Sequence, residues 1–210
     1  MREIARVQLR SMCSLLSKRP DIGVSPIGIE LDKNGTVMIV GESMGLLTCP
    51  HKGDITLIAR LAGLTSNQAL PDGTHLESAG NWFSGIILRE NLNARPGEPL
   101  GGAQIPYITL LGSDDDATRH CGSTMINGAG NQPSGDEGRD SKWFKLTRKG
   151  ADLTAFISKD GKDWKQVKTV TLPKMKDEIE IGFIHYALPS ATLAIHWAKF
   201  DNVSIIKEAR

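Results

Sequence analysis

Glu178 and Glu180 are the residues of this 210-residue chain whose spacing comes nearest to a chemical device. In an extended segment, positions i and i+2 point to the same side, so the two carboxylates share a face. Two carboxylates about 5–9 Å apart can cleave a glycosidic bond, one protonating the leaving oxygen while the other attacks or activates water. Here the pair opens a strand directly after the charged run Lys174–Asp177. A solvated strand end is the better reading for glutamates in that position. They stand as weak catalytic candidates, and no other catalytic set is found. His51, His75, His120, His185 and His196 are scattered, and no G-x-S-x-G accompanies them. No His or Cys spacing encodes a metal site. Asp114, Asp115 and Asp116 form an acidic run, and Asp201 adjoins Asn202. Such oxygens suit Ca2+, which leaves Asp114, Asp116 and Asp201 as weak metal candidates and calcium as the one cofactor left open. Three acids at a turn are more often a solvated tip, and Asn202 after an apolar Phe is as readily a turn or bulge.

The elements that would position these groups read as strands. Alternating apolar and polar residues, cut by Asn-Gly, Lys-Gly and Asp-Gly turns, mark a meander of antiparallel strands. Residues 28–32 and 36–40 form a hairpin across Asn34-Gly35. Strands follow at 54–62 and 84–90, and 105–111 pairs with 117–121 across the acidic turn. Residues 122–141 carry few apolar groups and read as a long surface loop. Four strong strands, 143–149, 152–158, 164–171 and 178–186, precede a last one from Ala198 to Ile206. Period-2 alternation puts Ile55, Leu57, Ala59, Ile86, Leu88, Phe144, Leu146, Ile181, Phe183 and Phe200 in the core. Residues 1–20 form an extension, either a short helix or disordered, ahead of one domain at 21–210.

Composition sets limits. Lys plus Arg is 25 and Asp plus Glu is 24, and that balance argues against a nucleic-acid partner, which would need a basic stripe. No run of 18 apolar residues exists, so no membrane insertion is expected. The N-terminal residues lack the apolar stretch of a signal peptide, which reads as cytoplasmic on sequence alone. Cys13, Cys49 and Cys121 stand far apart, an odd count that suggests buried free thiols, with one disulfide left open.

Six pieces in order carry a resemblance. They are Gly53 to Arg60, Ser84 to Glu90, Trp143 to Gly150 (W-F-K-L-T-R-K-G), Ser158 to Trp164 (S-K-D-G-K-D-W), Glu180 to Ile184, and Ala198 to Val203 (A-K-F-D-N-V). Together, over roughly residues 27–206, they resemble the concanavalin A-like lectin/glucanase superfamily. The nearest type is its uncharacterised bacterial jelly-roll domains, often found in or beside secreted carbohydrate-active proteins. The resemblance implies an all-β fold: a two-sheet antiparallel β-sandwich, or jelly roll. It also implies an extracytoplasmic origin. Laminarinase-like members carry an E-x-D-x-(x)-E strand, but here the central Asp and the third acid are missing. Ser158 to Trp164 also resembles the sialidase Asp-box, but it occurs once and is one residue short, so a structural hairpin is expected. In it Asp160 accepts backbone N–H bonds and Gly161 takes positive φ.

Alternation also suggests a ligand face. Trp143 and Lys145 lie opposite the core-facing Phe144 and Leu146. Arg89 shares parity with Gly85 and Ile87, and Tyr186 with Gly182 and Ile184. If these faces belong to one sheet, Trp143, Arg89, Tyr186 and Lys145 form a surface where a sugar ring can stack and find donors. The expected function is therefore a non-catalytic carbohydrate-binding or adhesion-type domain with a glycan partner. The alternatives are a glycoside hydrolase or polysaccharide lyase of the same fold, and a structural module without a sugar ligand.

Overall fold

The computed structural model describes residues 28–31, 37–41, 45–69, 75–76, 82–90, 107–112, 123–126, 129–131, 141–187 and 195–207, with side chains at 48–63, 83–90, 108–109, 141–185 and 198–207. In chain order the strands are β1 (Gly28–Leu31), β2 (Val37–Gly41), β3 (Gly45–Lys52), β4 (Ile55–Ala69), β5 (His75–Leu76), β6 (Trp82–Glu90) and β7 (Tyr107–Gly112). Then come β8 (Ser123–Ile126), β9 (Ala129–Asn131), β10 (Trp143–Lys149), β11 (Asp152–Ser158), β12 (Lys165–Thr171), β13 (Glu178–Ala187) and β14 (Ile195–Lys207). They form two antiparallel sheets. One is eight-stranded, ordered β1-β2-β14-β4-β10-β11-β12 with β5 added beside β4. The other is six-stranded, ordered β3-β13-β6-β7-β8-β9. Among the described residues there is no helix, and so none long and apolar enough to cross a membrane.

The inner faces follow the alternation. Ile55, Leu57, Ala59, Phe144, Leu146, Leu153, Ala155 and Phe200 come from the larger sheet, and Ile86, Leu88, Ile108, Ile179, Ile181 and Phe183 from the smaller. All are buried, and the ten core positions expected from the sequence are among them. Phe183 meets Phe200 across the gap with ring centroids 4.7 Å apart and tilted by 43°. Fully burying a side chain of this kind stabilises by about 1.5–3 kcal/mol, so the seam between the sheets is the main favourable term.

Polar groups close one end of the sandwich. Arg148, 2% exposed, donates to the carbonyl oxygens of Gly150 (2.9 Å) and Asp177 (3.0 Å) and to Asp177 Oδ1 (3.3 Å). Buried Glu90 accepts the backbone N–H of Lys176 at 2.8 Å, and Asp54 accepts that of Gly150 at 2.8 Å. Each group at this end answers a backbone group that the turns leave without a ladder partner.

Strands β8, β9, β3 and β4 differ from the sequence reading. The expected loop 122–141 contains strands β8 and β9, and β7 pairs with β8, not with 117–121. Cross-strand pairing holds these short, polar segments where local periodicity gives no signal. β3 went unrecognised because it contains Pro50. Proline is tolerated there because β3 is the edge of its sheet. β4 runs on to Ala69, beyond the expected end at residue 62, because β14 continues alongside it. The N-terminal extension, residues 1–20, lies outside the described residues.

Phe144→Ala or Phe183→Ala should lower stability by about 3–5 kcal/mol through lost burial and a cavity. Equilibrium denaturation in urea measures this, with an unchanged m-value expected.

Candidate functional site

The outer face of the six-stranded sheet is built in rows by its register. One row runs Pro50, Glu180, Arg89, Tyr107, and the next runs Thr48, Gly182, Ile87, Thr109. A third holds Leu46, Ile184, Gly85 and Leu111. Two glycines thus lie in the middle of this face. Arg89 donates from Nε (2.7 Å) and Nη2 (2.5 Å) to Oε2 of Glu180, and Thr48 Oγ1 donates to the same oxygen at 3.3 Å. The two charged side chains are 16% and 11% exposed, so each needs the other to offset its desolvation. Ile87, Ile184 and Thr109 are buried although they face away from the core, so this face is secluded as well. Thr109 is 1% exposed, and its Oγ1 has no hydrogen-bond partner among the described residues.

The outer face of the eight-stranded sheet has a different chemistry. Trp143 pairs with Arg60 on one side and Ser158 on the other. Arg60 lies 5.8 Å from the Trp143 ring centroid and forms a two-point ion pair with Asp201, its Nε reaching Oδ1 at 2.6 Å. That guanidinium bond holds the Asp201 carboxyl below its ordinary range. Asn202 next to it has φ +50° and sits at a break in the β4–β14 register, which makes Asp201-Asn202 a bulge. Lys145 Nζ stands 4.3 Å from the ring centroids of both Phe156 and Trp164, and burial pushes its pKa down. Such a cation between two rings is held by their negative faces.

The hairpin from Ser158 to Trp164 covers this aromatic group. Asp160 Oδ1 accepts the N–H groups of Lys162 (2.8 Å) and Asp163 (3.0 Å) and the hydroxyl of Ser158 (3.0 Å). Ser158 Oγ in turn accepts the N–H of Gly161 at 2.9 Å. These bonds, the backbone N–H of Lys162 first, drop the Asp160 pKa to about 2. Gly161 has φ +77°, and a Cβ there would lie 2.8 Å from the Trp143 ring. The hairpin is structural, and Trp143 is its packing platform.

The four residues expected on one ligand surface are therefore split. Arg89 and the backbone of Tyr186 share a face of the six-stranded sheet, and the side chain of Tyr186 lies outside the described residues. Trp143 and Lys145 belong to the other sheet. Parity decides which side of a strand a residue faces but not which sheet the strand joins, so the expected single surface does not form. The glutamate pair is separated by its partners. Glu178 is exposed at 52% and drawn to Lys52 at 3.2 Å, an ion pair that lowers its pKa, whereas Glu180 is held by Arg89. Asp114 and Asp116 lie outside the described residues, and among those described no three His, Cys, Asp or Glu side chains converge. Cys49 is a free thiol that burial pushes up to about 11, and Cys13 and Cys121 lie outside the described residues.

One pair escaped the sequence reading. Ser84 Oγ and His185 Nδ1 share a 2.5 Å hydrogen bond, directly opposite each other on β6 and β13. Both are essentially fully buried, on the parity of Ile86 and Phe183, so no substrate reaches the hydroxyl. The signal was Ser84 and His185 at core parity, where a polar residue implies a polar partner.

No family model matches the chain, and no curated protein matches it in sequence. Among solved structures it is similar to a functionally unknown protein from Saccharomyces cerevisiae, at 16% identity, over 89% of this chain and 95% of that one, with a TM-score of 0.58. It is also similar to a seed lectin of Lotus tetragonolobus (7% identity, 91% of this chain and 98% of that one, TM-score 0.46). A PL7 alginate lyase from Zobellia galactanivorans is a further match (12% identity, 91% and 86%, TM-score 0.44). Likeness at such identities is one of fold. With two antiparallel sheets between which the chain crosses repeatedly, the fold is a two-sheet jelly-roll β-sandwich.

Gly161→Ala should cost about 1–3 kcal/mol in thermal denaturation, since it strains a positive φ and displaces Trp143. The Asp160 carboxylate stabilises the hairpin fully above its ordinary pKa of 3.8, and that contribution is lost as pH falls toward about 2. Trp164 fluorescence should report a transition in that window that is absent in Asp160→Asn.

Proposed function

We propose that the protein is a non-catalytic carbohydrate-binding domain that takes its ligand on the outer face of the six-stranded sheet. The observation that carries this reading is the partly exposed Arg89–Glu180 pair with Thr48 beside it, next to a backbone that Gly182 leaves without a side chain. Thr48 is half-buried and shares a row with Gly182, which adjoins the row of Arg89 and Glu180. Gly182 leaves room for a ring to approach the backbone. Ile87 and Ile184 offer apolar contact to ring C–H groups, and Arg89, Glu180 and Thr48 offer donors and acceptors to its hydroxyls. The charges on Arg89 and Glu180 offset each other, so the face suits a neutral sugar. Oε2 of Glu180 is occupied by Arg89 and Thr48, and Glu178 is turned toward Lys52. Neither acid is set up to protonate a leaving group, which is why binding is favoured over hydrolysis. The carbohydrate class itself comes from the strand motifs that resemble the concanavalin A-like superfamily.

A glycan array on the purified protein should show a neutral glycan bound with a Kd between roughly millimolar and micromolar. Thr48→Val removes a half-buried hydroxyl of this face at nearly constant volume. It should weaken glycan binding about threefold to tenfold, the worth of one hydrogen bond. Unchanged affinity in Thr48→Val, or no glycan retained, overturns the site. Turnover of a polysaccharide that Glu180→Gln abolishes would make the protein a hydrolase instead.

A further inference from the structure

The net charge of +1 conceals an uneven distribution. Between Lys142 and Lys176 lie ten of the 25 Lys and Arg residues but three of the 24 acidic ones. The fold lays the densest part of this segment along one edge. Among the described residues β12 ends the eight-stranded sheet, and one of its sides has no neighbouring strand in the sheet. The hairpin before it carries Lys159 and Lys162, the strand carries Lys165 and Lys168, and the turn after it carries Lys174 and Lys176. Seven residues at about 3.4 Å each separate the two ends of this row by roughly 20–25 Å. Lys168 is half-buried and the other five are exposed. The three acids between Lys142 and Lys176, Asp152, Asp160 and Asp163, are outnumbered by the six lysines of the row. Asp160 binds backbone N–H groups of its own hairpin, and Asp152 accepts the Thr171 hydroxyl at 2.6 Å.

We propose that this edge docks an anionic polysaccharide, one that carries carboxylate or sulfate groups on successive sugars. A protective role against edge-to-edge pairing would explain lysines on β12 itself. It would not explain the four that continue the row beyond both strand ends. The register break between Ala155 and Phe156 distorts the edge, so an added peptide strand fits it poorly. A flexible polyanion needs no such regularity. Lysine ammonium groups on long stems recognise charge without fixed geometry, which suits a polymer whose anionic groups recur at loose intervals. Nucleic acid would gain from an aromatic face beside the cations, but the rings next to this row, Phe156 and Trp164, both hold Lys145. The edge lies on the other sheet from the glycine-floored face, so the two proposals stand or fall separately.

The test uses the full chain in affinity electrophoresis through gels holding heparin, polygalacturonate or a neutral glucan, with single-stranded DNA in a further gel. Retardation by the two acidic polysaccharides is expected, weakening as salt screens the charges. Lys162→Glu/Lys168→Glu/Lys176→Glu should weaken it about tenfold or more, because three attractive contacts become repulsive. The variant Lys199→Glu/Lys207→Glu, on β14 four places from β12 in the sheet, should leave it within about twofold. Circular dichroism confirms that both variants fold. Equal loss in the two variants, no retardation by either acidic polysaccharide, or stronger retardation by DNA overturns the proposal.

Discussion

The contact of Phe183 with Phe200 joins the two sheets, and the rest of the molecule is arranged around keeping that seam dry. Each strand must present apolar residues on one side only. A slip of one residue would place Gly182 and Lys199 in the seam and bring both phenylalanines to the surface, so the register is strongly specified. Close packing from Ile55 to Ile157 and from Ile86 to Ile181 then holds the sheets rigidly, and each outer face becomes a stable platform.

A sandwich has open ends, and here one end is closed by charge. Arg148 reaches through the inner layer to the turn carrying Asp177, and Glu90 receives the N–H of Lys176 on the same turn. The turn that links β12 to β13, and therefore one sheet to the other, is fixed by groups from both. These bonds add less to stability than the apolar seam, because each exchanges water for a protein partner. What they supply is position: β13 enters its sheet with Glu180 and Gly182 facing outward beside Arg89 and Ile87.

The two outer faces were put to different uses. On the larger sheet, aromatic rings are consumed by the structure itself: Trp143 supports the Ser158–Trp164 hairpin, and Phe156 and Trp164 grip Lys145. On the smaller sheet, glycines, a buried hydroxyl and an internally neutralised ion pair leave unfilled hydrogen-bonding capacity. The lysine row adds a third surface along β12, which ends its sheet among the described residues. A chain of almost balanced charge can carry such a row because net charge sums over the molecule, whereas a polyanion meets the local field.

Much of the fold was legible in the residues. Alternation identified the ten core positions, and the Asp-Gly hairpin was read correctly down to the backbone bonds on Asp160 and the positive φ of Gly161, because these depend on neighbours in sequence. Alternation also placed Arg89 with Gly85, and Tyr186 with Gly182, on a common parity that the β6–β13 register brings together. Tertiary structure alone decided the rest. It put β10 in one sheet and β6 in the other, and so parted Trp143 from Arg89. It paired Glu180 with Arg89 across 91 residues and Ser84 with His185 across 101, and it gave the unpromising segments at Gly45, Ser123 and Ala129 their places as strands. The physical reason is the reach of the forces involved. Turn chemistry and side-chain parity are set within a few residues, whereas sheet membership and ion pairing depend on which distant strands share hydrogen bonds, and no local pattern records that.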